Sequence, residues 1–149
     1  MKSRLTTTRF ALVLLAAATL TVSVSATEKK GDLHAVKECS QYNQMPGGFC
    51  TFIRSDFALI QPGTRVYYDQ APGIPAGLLD SNVVLDAGAG NRALGRCTLD
   101  QATGKGLCTF SDGTGQFAGF QARLEVSFAG GANFRWDGTY SFDHDRDRR

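Results

Sequence analysis

Four cysteines and two histidines bound much of the chemistry open to this 149-residue chain. Cys39 and Cys50 stand eleven positions apart, and so do Cys97 and Cys108. A zinc site would want the closer C-x2-C pairs and a dithiol redox site C-x-x-C, and neither spacing occurs. Each interval instead contains turn residues, Pro46-Gly47-Gly48 in the first and Thr103-Gly104-Lys105-Gly106 in the second. The arrangement favours two hairpins, each clamped by its own disulfide, Cys39–Cys50 and Cys97–Cys108, which stabilises by about 2–4 kcal/mol per bridge. His34 near the start and His144 in the tail lie outside strongly patterned segments. A Ser-His-Asp triad or a histidine metal site needs imidazoles held rigidly within the fold, so neither is expected, and no metal ligands are assigned.

Two glycine-bearing strings imitate nucleotide and cofactor motifs. Val83-Val84-Leu85-Asp86-Ala87-Gly88-Ala89-Gly90 has the strand, acid and glycine turn of an S-adenosylmethionine site, but that site needs a following helix and a parallel sheet. Gly90–Cys97 lacks the Lys and Ser/Thr of a phosphate loop, with Arg96 and Cys97 in their places. Arg54 and Asp56, two apart, read as a solvated pair on one strand face. The aromatic residues Phe120, Phe128, Phe134, Trp136, Tyr140 and Phe142 fall on the apolar faces of two segments. Most of them read as core. Tyr67, Tyr68, Trp136 and Tyr140 combine apolar surface with a polar handle, which is what a small-molecule pocket requires, and they form the candidate ligand-binding set.

The elements that would position these residues follow from composition and periodicity. Met1–Arg9 is basic and polar, Phe10–Leu20 is apolar, and Val24-Ser25-Ala26 supplies small residues for signal cleavage, so residues 1–26 read as a secretory signal peptide. The apolar run is well short of the roughly 20 residues that cross a bilayer as a helix, and no membrane association is expected after cleavage. Removing the segment takes away Lys2, Arg4 and Arg9 and leaves 13 basic against 14 acidic side chains. A near-neutral chain is a poor nucleic-acid binder. Export to the periplasm or the cell exterior also explains the cysteines, because thiols pair and persist in oxidising compartments.

Phe120, Ala122, Leu124, Val126 and Phe128 alternate without fault with Gln121, Arg123, Glu125 and Ser127. A period of two marks a strand with one dry and one wet face. After Ala129–Asn133 the alternation resumes through Phe142. Noisier strands are expected at 34–42, 49–60, 64–69, 81–86, 92–99 and 105–111, with 117–128 and 134–142 completing eight. Residues 27–31 read as a flexible lead-in and 143–149 as a disordered charged tail, leaving one domain over 27–142. The fold class is therefore all-β. An eight-stranded antiparallel β-barrel is favoured over a β-sandwich because closure removes exposed edges and 17 glycines suit tight bends.

Asp112-Gly113-Thr114-Gly115-Gln116-Phe117-Ala118-Gly119-Phe120 resembles the G-T-G-x-F signature of the allene oxide cyclase and dirigent barrels, and Gly95-Arg96 is similar to their upstream G-R segment. The segment from Gly95 through Phe142 also resembles uncharacterised exported bacterial proteins. The resemblance implies an eight-stranded barrel, often dimeric or trimeric, with an apolar cavity and no cofactor, whose chemistry comes from folding a flexible substrate. No catalytic acid or base matches residue by residue.

Three functions are compatible with these features. The first is an exported, disulfide-stabilised barrel that binds a small apolar ligand, with a homo-oligomer as a further expectation. The second is a cofactor-free cyclase or isomerase, which would be marked by a buried ionisable residue, such as Asp86 or Arg92, facing a solvent-reachable cavity. The third is an extracellular interaction module, which would have a solid interior.

Overall fold

The computed structural model describes residues 30–73 and 77–143. The signal peptide expected over 1–26 and the tail beyond 143, His144 included, lie outside the described residues. Eight antiparallel strands run in chain order round a closed barrel: β1 (Lys30–Glu38), β2 (Phe49–Ser55), β3 (Arg65–Tyr68), β4 (Leu78–Asp86), β5 (Arg92–Asp100), β6 (Lys105–Thr114), β7 (Phe120–Gly130) and β8 (Asn133–Phe142). The ring closes where β1 pairs with β8, from Lys30 opposite Ser141 to Glu38 opposite Asn133. Closure excludes the sandwich, since a sandwich leaves edge strands and this sheet has none.

The alternation expected for β7 decides which side chains enter the barrel. Phe120, Ala122, Leu124 and Val126 are buried, whereas Arg123 and Glu125 are exposed. Phe128 breaks the expected pattern and is 54% exposed: it pairs with Phe134 at the barrel rim, where a bulge shifts the register before Gly130 pairs with Asn133. Element ends also differ from the sequence reading. Lys30 and Gly31 already belong to β1, where β8 supplies their partners, so the lead-in is shorter than expected. The segment ending at Ile60 leaves the sheet after Ser55, and Phe117 sits in a short 3-10 helix, Gly115–Phe117, before β7.

Eight strands enclose a space that side chains can fill, and most of it is filled. Phe52 meets the edge of Trp136 at 5.0 Å, Trp136 lies 5.6 Å from Phe110, and Phe110 lies 6.0 Å from Phe120. Leu33, Val66, Leu85, Ala93 and Leu124 complete this fully buried centre. The aromatic face of β7 and β8 is thus chiefly core.

Both disulfides pair as the spacing predicts. Cys39–Cys50 ties the β1–β2 loop across one rim, and Cys97–Cys108 joins directly opposed residues of β5 and β6 inside the barrel. Together they define a small disulfide-stabilised barrel and fit an oxidising environment. Replacing Cys97 and Cys108 together by Ser is expected to lower the unfolding free energy by about 2–4 kcal/mol, measured by urea denaturation with the other bridge intact. An unchanged midpoint would show that the bridge contributes nothing to the fold.

Candidate functional site

The two rims of the barrel are finished differently. At the rim where β2 turns into β3, Phe57, Ile60 and Phe117 are buried and close the interior. Phe57 stacks 5.7 Å from Phe120 and 4.3 Å from Tyr140. A depression of about 670 Å³ outside this plug is lined by Asp32, Asp56, Phe57, Tyr140 and Phe142. At the opposite rim the β3–β4 connection includes 74–76, outside the described residues, and among the described residues no large side chain plugs the barrel. A cavity of about 390 Å³ remains, walled by Leu79, Leu99, Phe128, Phe134 and the Cys39–Cys50 bridge, with polar groups from Lys37, Tyr42 and Tyr68 and, on the turns around it, from Gln44, Gln101 and Thr103.

Lys37 is the unexpected member. It follows Leu33 and Ala35 on the inward face of β1 and is only 4% exposed. Its Nζ donates a hydrogen bond to Oη of Tyr68. The same nitrogen lies 4.7 Å from the centre of the Trp136 ring and 5.0 Å from that of Tyr68. The ion pairs among the described residues are His34–Asp137, Arg92–Asp86 and Arg96–Asp80, so none of them supplies Lys37 with a carboxylate. Burial alone drives the amine from its ordinary 10.5 down to about 7, because the dry interior penalises the ammonium. Burial, reinforced by neighbouring Tyr42, pushes the Tyr68 phenol well above its usual value, so it stays protonated at neutral pH. Burial also raises Tyr42. The Tyr42 hydroxyl and the Trp136 indole N–H are buried without a hydrogen-bond partner.

Local sequence fixes this geometry. Gly47, at φ +87°, turns the β1–β2 loop back onto β3, where its N–H donates to the Tyr68 carbonyl at 2.7 Å. The Tyr68 N–H returns a bond to the Gly48 carbonyl at 2.9 Å. A Cβ on Gly48 would come within 2.8 Å of the Tyr42 ring, so only glycine lets that ring settle 5.1 Å from Tyr68. The Cys39–Cys50 bridge holds both ends of the same loop. On the far wall the β5–β6 turn is fixed by the Ala102 N–H on the Asp100 carboxylate, and its Gly104 carbonyl accepts from the Phe128 N–H.

Of the four aromatic candidates, Tyr68 and Trp136 meet at Lys37. Tyr67 lies on the outer face, 5.4 Å from Phe49, as alternation along β3 requires. Tyr140 shares the inward face of β8 with Trp136 but lies four residues nearer the plugged rim. Asp86 and Arg92 pair on the outside at 3.0 Å, where Asp86 also caps the Gly88 N–H of the β4–β5 turn, so the cofactor-like glycine string is a hairpin. Asp56 does not pair with Arg54; its carboxylate accepts the His34 backbone N–H at 2.8 Å. The buried ionisable group facing a cavity is Lys37, missed in the sequence because one cation in a short strand reads as solvated. Its parity with Leu33 and Ala35 is the signal that could have found it.

Among the described residues there is no cluster of three His, Cys, Asp or Glu placed to hold a metal, and no helix is long and apolar enough to cross a membrane. Comparison of the chain with protein-family models, curated proteins and solved structures finds no match. The cyclase and dirigent resemblance rests on its own short motif.

An amine pKa lowered in the fold means that the unfolded chain binds more protons between about pH 7 and 10.5, so stability rises with pH across that window. Below it the full cost, about 4–5 kcal/mol, is present. Lys37→Met is expected to raise the unfolding free energy at pH 6 by about 2–4 kcal/mol, the relief being reduced by the orphaned Tyr68 hydroxyl. Urea unfolding across pH should show that advantage vanish by about pH 10. A difference independent of pH would contradict the buried-amine geometry.

Proposed function

We propose that this protein binds one small, largely apolar molecule in the cavity at the open rim, with the polar end of the ligand directed at Lys37 and Tyr68. The observation that carries this reading is a buried amine: among the described residues the hollow outside the aromatic plug, about 670 Å³, has none in its lining, whereas Lys37 lines the opposite hollow of about 390 Å³. That volume lies at the lower end of the roughly 300–1,000 Å³ usual for ligand pockets. Apolar walls with a few converging polar groups are the usual composition of such sites, and a strongly perturbed titratable group marks a candidate one. Stability alone does not account for Lys37, since an apolar side chain there would cost nothing in desolvation.

The same reading has the chain exported through the basic and apolar segment at its start, with both disulfides formed on the way, so that the ligand is met in the periplasm or outside the cell. The filled centre of the barrel keeps that ligand at the rim.

The chain contains a single tryptophan, and Trp136 lies directly beside the Lys37 amine. Titration with 8-anilinonaphthalene-1-sulfonate is expected to give a saturable change in Trp136 fluorescence. Leu99→Phe, which fills the cavity from its wall, should weaken binding about tenfold, equivalent to about 1.4 kcal/mol. No Trp136 response from folded protein, or equal affinity in the variant, would refute binding at this rim.

A further inference from the structure

The atoms around Lys37 narrow the chemistry of the ligand. An ammonium-binding or carboxylate-binding pocket would place a permanent charge opposite its ligand. This one presents a primary amine flanked by rings, with a phenol as its hydrogen-bond partner and no carboxylate paired to it. Amines in such surroundings are nucleophiles, because the dry pocket disfavours the protonated form that would mask the lone pair. An adjacent hydroxyl that stays protonated is a suitable proton donor for a developing oxyanion.

We propose that Lys37 captures small aldehydes or ketones covalently, as a reversible imine, in the cavity at the open rim. This rests on the reading that the cavity binds an apolar molecule and specifies its reactive group. The Nζ lone pair attacks the carbonyl carbon, and the carbonyl π pair moves to oxygen. That oxygen takes a proton from the Tyr68 hydroxyl while nitrogen returns one to the phenolate, which gives a neutral carbinolamine. A second proton, again from the Tyr68 hydroxyl, goes to the oxygen and lets the C–O bond break. Water leaves, the nitrogen pair forms the C=N bond, and the remaining N–H proton goes back to Tyr68. Amine and carbonyl therefore become imine and water, with no oxidant, reductant or metal consumed. The apolar walls at Leu79, Leu99 and Phe134 take the carbon skeleton, and Trp136 beneath the amine stabilises any iminium that forms.

Octanal and octan-1-ol share a skeleton and differ at the reactive carbon, which makes them a matched probe pair. The protein is incubated at pH 7 with octanal and sodium cyanoborohydride, and the sites of alkylation are mapped by peptide mass spectrometry. Lys37 should be alkylated at least about tenfold faster than the exposed Lys30 and Lys105, and excess octan-1-ol should slow its labelling. Tyr68→Phe should reduce the Lys37 rate about a hundredfold, the usual scale for loss of a positioned proton donor. Lys37→Met, expected to fold more stably, should lose the preferred adduct altogether. Labelling of Lys37 no faster than of Lys30 and Lys105 would overturn the proposal. If octan-1-ol still changed Trp136 fluorescence in that case, binding of apolar molecules would stand without the covalent step. If it did not, both readings would fall.

Discussion

A primary amine held in the dry interior of a closed barrel, with no carboxylate beside it, is the constraint on which the candidate site depends. Lys37 cannot snorkel to water as surface lysines do, because β1 aims it between Tyr68 and Trp136. The cost of keeping it there, about 4–5 kcal/mol at low pH, is a large share of the 5–15 kcal/mol that stabilises a typical domain. Two bridges of about 2–4 kcal/mol each offset it. The Cys39–Cys50 bridge also closes the loop whose Tyr42 packs on Tyr68, so one bond serves both the fold and the pocket.

Barrel closure gives that amine its setting. Pairing of β1 with β8 leaves no free edge, and the ring of Phe52, Trp136, Phe110 and Phe120 fills the middle. Only the rims then remain free to differ. Phe57 and Phe117 plug the interior at one of them, whereas Lys37 and Tyr68 line the hollow at the other. The packed centre leaves no room for a flexible substrate, so the proposed ligand is one that sits near solvent with one end at the amine.

Much of the architecture was legible in the sequence. The unbroken alternation from Phe120 to Val126 marked a two-faced strand, and the matched cysteine spacing favoured the pairing found among three possible ones, because both are local properties. The site was less legible because it depends on parity and position. Tyr67 and Tyr68 are adjacent and equivalent as residue types, yet only the register of Tyr68 with Val83 turns it inward. Trp136 and Tyr140 share a face, but four residues at about 3.3 Å each carry Tyr140 towards the opposite rim. Phe128 keeps the inward period and still emerges, because it lies at the rim next to a bulge. Lys37 was illegible for a different reason: a lone cation in a short strand reads as solvated, although its parity with Leu33 and Ala35 places it on the inward face.

The most direct measurement is the titration of Lys37 itself, followed by the ε-carbon chemical shift in protein labelled at lysine, with Lys37→Met to assign the signal. A midpoint at about 7 is the expected result, with Tyr68 holding the amine in a dry pocket. A midpoint at the ordinary value of 10.5 would place the amine in water and contradict the account of this rim.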